Sequence, residues 1–314
     1  MTRAEGMFHA PQGKAQPVVE QGEFVFAVHS LDHGHIYGMC NGLLEAGATL
    51  KAVYDPVPER VEQFMKTYPG TTTVQHEDEL FNDATIHLIA SAGVPSDRGP
   101  LGVRVMRAGK DYFVDKSPFT TLDQLADARR VALETGRKYM VYYSERLHVE
   151  GSVYAGQLIE QGAIGRVIQV MGMGPHRLSA QKRPAWFFQK AKYGGILTDI
   201  GSHQIEQFLY FSGAIDAKIN SSAVGNFNNP DYPELEDFGE ASLTADNGCS
   251  NYFRVDWFTP DGLPQWGDGR LFILGTEGTI EVRKYIDIAH NDEPDRLYLV
   301  NQDGVQQLSL HGQV

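Results

Sequence analysis

Apolar and polar positions follow two rhythms along this chain, and the change between them divides it. Residues 24–28 form a β-branched and aromatic run that predicts a buried strand, and a helical pattern over 36–45 follows it and stops at Gly47. A second strand is predicted over 50–54, closed by Asp55-Pro56, and then a helix over 58–68 with Val61, Phe64 and Met65 on one face. Strands at 86–90, 112–114 and 139–143 are interleaved with helices at 98–108 and 121–135, the latter with Asp123 in its first turn and Gly136 as its stop. Strand–helix alternation with short connections predicts a parallel sheet covered on both faces, with ligands at the carboxyl ends of its strands.

After residue 146 the rhythm changes. A helix over 149–161 leads to a strand over 166–171, an irregular stretch over 174–188 and a helix over 199–211. Strands over 217–225, 238–246, 250–258, 270–274, 279–283 and 296–300 then predict a largely antiparallel sheet. The expected organisation is a flexible arm over 1–22, an α/β domain over 23–145 and an α+β domain over 146–314, with no internal repeat.

Composition narrows the function classes. Of 314 residues, 42% are hydrophobic and 21% charged, enough apolar content for a packed core. The net charge of −13 repels phosphate backbones and anionic membranes, so neither nucleic acid nor a membrane is an expected partner. Cys40 and Cys249 build no disulfide framework, no apolar run spans a bilayer and no signal peptide is visible, so a cytoplasmic location is expected. Glycine is in excess, 33 residues, yet it is missing where a nucleotide fold most uses it.

That place is the turn after the first strand, Val28-His-Ser-Leu-Asp-His-Gly-His-Ile36. Aligning strand ends puts Ser30, Asp32 and His35 at the three positions of a Gly-x-Gly-x-x-Gly turn, with Gly34 out of register and His33 between them. Asp55 lies 25 residues after Ser30, where a carboxylate can hold an adenosine ribose and disfavour a 2′-phosphate, selecting NAD over NADP; the plainer alternative is that it caps the next helix. Gly93 and Pro95, after the fourth strand, stand where loops touch a cofactor. Three imidazoles, His29, His33 and His35, invite a metal, but no other ligand at standard spacing accompanies them except Asp32, and no metal is expected.

Three later segments carry a resemblance. Ala108-Gly-Lys-Asp-Tyr-Phe-Val-Asp-Lys-Ser-Pro118 resembles the Glu-Lys-Pro segment of the Gfo/Idh/MocA family, that of glucose–fructose oxidoreductase and inositol dehydrogenase. Tyr193-Gly-Gly-Ile-Leu-Thr-Asp-Ile-Gly-Ser-His203 is similar to that family's Gly-Gly-x-x-x-Asp-x-x-x-His segment, and residues 266–281 resemble its late strand–turn–strand. The resemblance implies a Rossmann domain that binds NAD, a second domain with an open, mainly antiparallel sheet, and oxidation or reduction of a sugar, sugar derivative or polyol. It also implies a homodimer or homotetramer formed through that sheet. By position, Lys116 matches the family's active-site lysine, and Asp199 and His203 match its substrate-binding aspartate and proton-transfer histidine. Family members continue past the last strands into a helical segment; this chain stops at residue 314, and the expectation is a partner subunit covering that surface or a shortened, less active relative.

The residue chemistry agrees with these assignments. Asp199 and His203 are four apart and share a helix face. Oxidising an alcohol needs a base near neutrality, which imidazole supplies, and Lys116 can donate to the reacting oxygen. Arg146, His176, Arg183, Trp186 and Tyr193 are the candidate substrate contacts, since rings cover C–H faces and arginine donates to hydroxyls. Two alternatives stand beside an oxidoreductase: a non-redox binding or scaffold homologue that has lost the nucleotide, and a glycoside hydrolase that keeps NAD bound.

Overall fold

The structure, a computed structural model, describes residues 16–289 and 295–310. The first fifteen residues of the expected arm lie outside the described residues. The described residues divide into two compact units, one holding 16–142 together with 191–194, the other holding 143–190, 195–289 and 295–310.

The first unit runs β1 (Val25–His29), α1 (His35–Glu45), β2 (Thr49–Tyr54), α2 (Pro58–Thr67), β3 (Thr72–Thr73), α3 (Glu77–Asn82), β4 (Leu88–Ser91), α4 (Pro95–Arg107), β5 (Asp111–Asp115), α5 (Leu122–Thr135) and β6 (Tyr139–Tyr142). All of its strand pairs are parallel, in the order β3-β2-β1-β4-β5-β6. This is the doubly wound order, reversing between β1 and β4, where the crevice at the carboxyl ends accepts a ligand. Neighbours along β1 point to opposite faces: Phe26 and Val28 join Ile36, Phe64 and Tyr142 in one core, while Ala27 joins Ile89, Val105, Tyr112 and Val114 in the other. Each of the Phe, Ile and Val side chains among these, fully buried, contributes about 1.5–3 kcal/mol.

Local signals set the helix ends. Thr121 accepts the Gln124 backbone N–H at 3.2 Å to start α5, and Gly136 ends it at φ 68°. Pro95 opens α4 three residues before the predicted start, since proline suits a first helical position. The predicted strand over 86–90 is shifted to Leu88–Ser91. In the same unit α3, with its capping box of His76 and Glu79, and the two-residue β3 were not predicted.

The second unit runs α6 (Ser144–Leu147), α7 (Glu150–Glu160), β7 (Val167–Pro175), two short 3-10 turns, α8 (Lys190–Tyr193, its last three residues clustering with the first unit), α9 (Ile196–Asp199) and α10 (Gly201–Ser212). Then follow β8 (Ala217–Gly225), β9 (Phe238–Ala245), β10 (Ser250–Asp256), β11 (Gly269–Gly275), β12 (Thr279–Lys284), β13 (Arg296–Asn301) and the unpredicted β14 (Gly304–Leu308). They form one sheet in the order β14-β13-β12-β11-β7-β10-β9-β8, antiparallel except for the β7–β10 pair. The predicted helix over 199–211 is two helices parted at Ile200.

One face of this sheet is covered by α10, and the close approach needs small residues: a Cβ at Gly172 would meet Gln204 Oε1 at 2.0 Å. The other face carries a register row of Tyr252, Met171, Phe272, Glu281 and Tyr298, beside a second of Ser250, Gln169, Leu274, Thr279 and Val300. A groove of about 340 Å³ runs between these rows. Cys40 and Cys249 are buried free thiols, and no described helix is long and apolar enough to cross a membrane.

Candidate active site

In the first unit the turn after β1 keeps the backbone shape of a nucleotide turn without its glycines. Ser30 takes the left-handed conformation, φ 67°, that a glycine at this position would supply without strain. Its carbonyl accepts the Ala92 N–H at 3.2 Å, and the His33 N–H donates to the Ala92 carbonyl at 2.9 Å, lacing the turn to the loop after β4. Gly93 belongs to that contact: a Cβ there would lie 3.0 Å from the Ser30 Cβ. A dinucleotide cradle therefore fits in backbone shape at Ser30 and Gly93.

The side chains of Asp32, His33 and His35 in this turn are all drawn aside. Asp32 pairs with Arg60 of α2 at 2.6 Å. Burial raises the Asp32 carboxyl above its ordinary range, with Arg60 pulling the other way. His33 Nδ1 accepts the His35 backbone N–H at 3.2 Å, which caps α1 and leaves the proton on Nε2. Burial, and then the neighbouring His35 ring, hold the His33 pKa well below the usual histidine range, so this ring is neutral. The His35 ring reaches Asp115 at the end of β5, 2.9 Å away. Asp55 is a fastening as well as a candidate ribose ligand: Oδ2 accepts the Leu31 N–H at 2.6 Å and Oδ1 the Val57 N–H at 2.8 Å.

Lys116 directly follows Asp115 and is 8% exposed. Its segment is held by Arg98 of α4, a residue that sequence reasoning missed. The Arg98 Nε donates to the Gly93 carbonyl at 2.7 Å, Nη1 to the Asp115, Lys116 and Ser117 carbonyls, and Nη2 to the Asp115 carboxylate at 3.1 Å. Burial pushes the Asp115 carboxyl up, but His35 and Arg98 outweigh it and hold it far below the usual range. His33, His35 and Asp115 are the group, among the described residues, whose ligand atoms gather within 4.8 Å as a metal site requires. Arg98 already supplies the positive charge that a cation would bring there. His29 stands apart, bonded to Ser30 Oγ at 2.7 Å and Glu77 at 2.8 Å.

In the second unit Asp199 and His203 sit either side of the break between α9 and α10. Gly195, at φ 94°, precedes them because a Cβ would strike Glu236 Oε2 at 2.6 Å, and that same oxygen accepts the Ile196 N–H and starts α9. His203 is 2% exposed, its ring edge-on to Tyr143 at 5.7 Å. Beneath it lies a buried polar network invisible to the sequence. Lys284 Nζ donates to Glu145 Oε2 at 3.1 Å and to Gln207 Oε1 at 3.0 Å, while the Gln207 amide donates to the His203 carbonyl at 2.9 Å. Gln204 Nε2 also donates to Glu145, at 3.2 Å.

Burial raises the Glu145 carboxyl, yet Lys284, His203 and His176 together hold it well below the ordinary range. A carboxyl depressed on folding adds stability above its unfolded pKa, about 4.3, and loses it as pH falls. Acid unfolding monitored by circular dichroism is therefore expected to shift to lower pH relative to neutral-pH stability in Glu145→Gln/Lys284→Met, which removes the pair together.

The substrate candidates fall into different settings. His176 lies between Trp266 and Trp257, ring centroids 4.4 and 5.4 Å away, with Nε2 3.6 Å from Glu145. Arg183 stacks over Phe187 and Trp257 at 4.5 and 4.9 Å. Arg146 is bonded to Glu206 at 2.6 Å and lies over the Tyr210 ring at 4.0 Å. Trp186 keeps its indole N–H buried with no acceptor among the described residues. Tyr193 is buried and clusters with the first unit, as Lys116 does. Pro95 is the first residue of α4.

Comparison with known proteins gives three kinds of likeness. Residues 153–281 match the family model for the GFO/IDH/MocA C-terminal domain. A crystal structure from Erwinia carotovora atroseptica, named as an oxidoreductase with no stated substrate, is 50% identical, with a TM-score of 0.90, over 93% of this chain and 87% of that one. The D-xylose dehydrogenase of Paenarthrobacter nicotinovorans is 26% identical over 59% of this chain and 47% of its own length. The NAD-dependent scyllo-inositol 2-dehydrogenase of Bacillus subtilis is 25% identical over 74% and 66%. The chain thus spans between about half and two thirds of the curated relatives it matches.

Proposed function

This chain belongs to the GFO/IDH/MocA family, and from that premise we propose that it is an oxidoreductase moving a hydride between NAD and a hydroxyl or keto carbon of a sugar, sugar derivative or polyol. The observation that carries the reading is Ser30, which holds a glycine-like φ of 67° at the turn where strand order reverses. A side chain accepts that strain only where the backbone shape is needed. The names of the xylose and inositol dehydrogenases supply the substrate class.

Bound nicotinamide supplies the hydride acceptor or donor. Ser30, Asp32, His33, His35, Asp55, Gly93, Pro95 and Lys116 are the residues that would hold the dinucleotide. For an alcohol substrate, His203 takes the hydroxyl proton and Lys116 donates a hydrogen bond to the reacting oxygen as it gains alkoxide character. Asp199 grips a neighbouring hydroxyl or orients the imidazole, and His176, Arg183 and Trp186 offer rings and donors to the rest of a polyol. NAD is preferred to NADP because carboxylate charge beside Arg60, at the carboxyl ends of β1 and β2, opposes a 2′-phosphate. Absorbance at 340 nm with a panel of aldoses, inositols and polyols, in NAD and NADP, tests this. Reduction with at least one of them is the expected result, and none with any sugar or polyol goes against it.

The replaced glycines are the observation that favours the runner-up, a non-redox homologue. We also propose that the open sheet face pairs two copies of the chain. Light scattering is expected to give at least a dimer, and Phe272→Glu/Leu274→Glu, which charges both register rows, is expected to give a monomer with an unchanged circular dichroism spectrum.

A further inference from the structure

We propose that Asp32, held by Arg60, is the residue that selects NAD over NADP, and that Asp55 is a structural fastening with little part in that choice. The inference rests on the dinucleotide reading above and assigns the recognition of the adenosine ribose within it.

Asp55 has the position of a ribose ligand but not its freedom. Its side chain is 0% exposed, and its two oxygens are engaged by backbone N–H groups from different segments, Leu31 in the turn after β1 and Val57 before α2. Turning this carboxylate toward a ribose would leave two N–H donors unpaired and would release the turn from α2.

Asp32 offers what Asp55 does not. It occupies the second glycine position, its side chain is 15% exposed, and only Oδ1 is engaged, by Arg60 Nη1 at 2.6 Å. Among the described residues Oδ2 accepts nothing. Arg60 projects from the first turn of α2 with its side chain about a third exposed, and its Nε and Nη2 meet no acceptor among the described residues. The pair therefore presents a carboxylate oxygen and spare guanidinium donors side by side at the carboxyl ends of β1 and β2. A carboxylate oxygen accepts from a ribose hydroxyl and repels a phosphate in the same place. While Asp32 is charged it also neutralises Arg60. With that charge removed, Arg60 becomes a planar, bidentate receptor for the 2′-phosphate. A partly exposed ion pair is weak enough to be broken by either ligand, so the charge on Asp32, not the strength of the pair, decides the outcome.

Fluorescence titration with NADH and NADPH, on the wild type and on Asp32→Asn, Asp32→Asn/Arg60→Ala and Asp55→Asn, tests the assignment by binding alone. The wild type is expected to bind NADH more tightly. Asp32→Asn is expected to move the ratio of the two Kd values at least about tenfold toward NADPH, and the added Arg60→Ala to abolish that gain. Asp55→Asn is expected to lower the thermal midpoint and weaken both cofactors alike. A Kd ratio unmoved by Asp32→Asn, or moved as much by Asp55→Asn, overturns the assignment while leaving the dinucleotide reading standing. Failure of the wild type to bind either nucleotide overturns both.

Discussion

Replacing His203 by asparagine is expected to lower kcat by a factor of about 10² to 10⁴, the usual contribution of a positioned general base, while the Kd for NADH stays within about twofold. The split follows from where the residue sits. His203 belongs to the second unit, in a helix whose buried face is fixed by Gln204 and Gln207, and none of the nucleotide candidates is among its neighbours on that helix. Asparagine fills part of the ring's volume and keeps a polar atom in a site that is 2% exposed, so the fold has little reason to change. A stopped assay with an intact circular dichroism spectrum is the supporting pattern. Turnover within about threefold of wild type would remove His203 from the chemistry, since a base that contributes that little is not in the transition state.

The second large effect concerns stability. Arg98→Met is expected to cost about 3–5 kcal/mol, because it takes the guanidinium from the buried Asp115 carboxylate, leaving only the His rings beside it, and from the carbonyls of residues 93 and 115–117. Differential scanning calorimetry is expected to show a transition of the first unit lowered by about 10 °C or more. Adding Asp115→Asn is expected to recover part of the loss, since it removes the stranded charge, and the non-additivity of the pair measures their coupling. A midpoint unchanged in Arg98→Met would mean that the segment carrying Lys116 is held by something else. Lys116 itself is then the second readout: in the surviving folded fraction, activity is expected to fall further than NADH affinity.

Sequence rhythm identified the elements that place the site, and physical reasons separate these from what it missed. The β1–α1 turn, the end of β2 at Asp55, and α5 with Thr121 and Gly136 were legible because strand runs, caps and glycine stops are local signals. The β7–α10 segment is legible as a family pattern, though not the start of α9 at Ile196, whose N–H is accepted by Glu236 from 40 residues away. β14 escaped because a short, polar, exposed edge strand has no apolar alternation. Nothing in the sequence marks Arg98 as buried, because its burial is decided by carbonyls that come from two loops. Glu145 and Lys284 lie 139 residues apart, and no spacing in the sequence marks a pair that only sheet packing joins. In the sequence His29, His33 and His35 stand together as a possible metal group, whereas folding separates His29 and brings Asp115 to the other two. At Asp55 spacing left two roles open, and only the two backbone donors at 2.6 and 2.8 Å show how firmly its oxygens are engaged.

The central claim is that a turn lacking all three glycines still receives a dinucleotide, because Ser30 keeps the backbone shape and Asp32, His33 and His35 are drawn aside. The most direct measurement is the binding of NADH to the purified chain, followed by nicotinamide fluorescence at fixed ionic strength. Saturable binding, competed by NAD, is the expected result. An absence of saturation up to about 1 mM NADH, with the protein folded by circular dichroism, contradicts it.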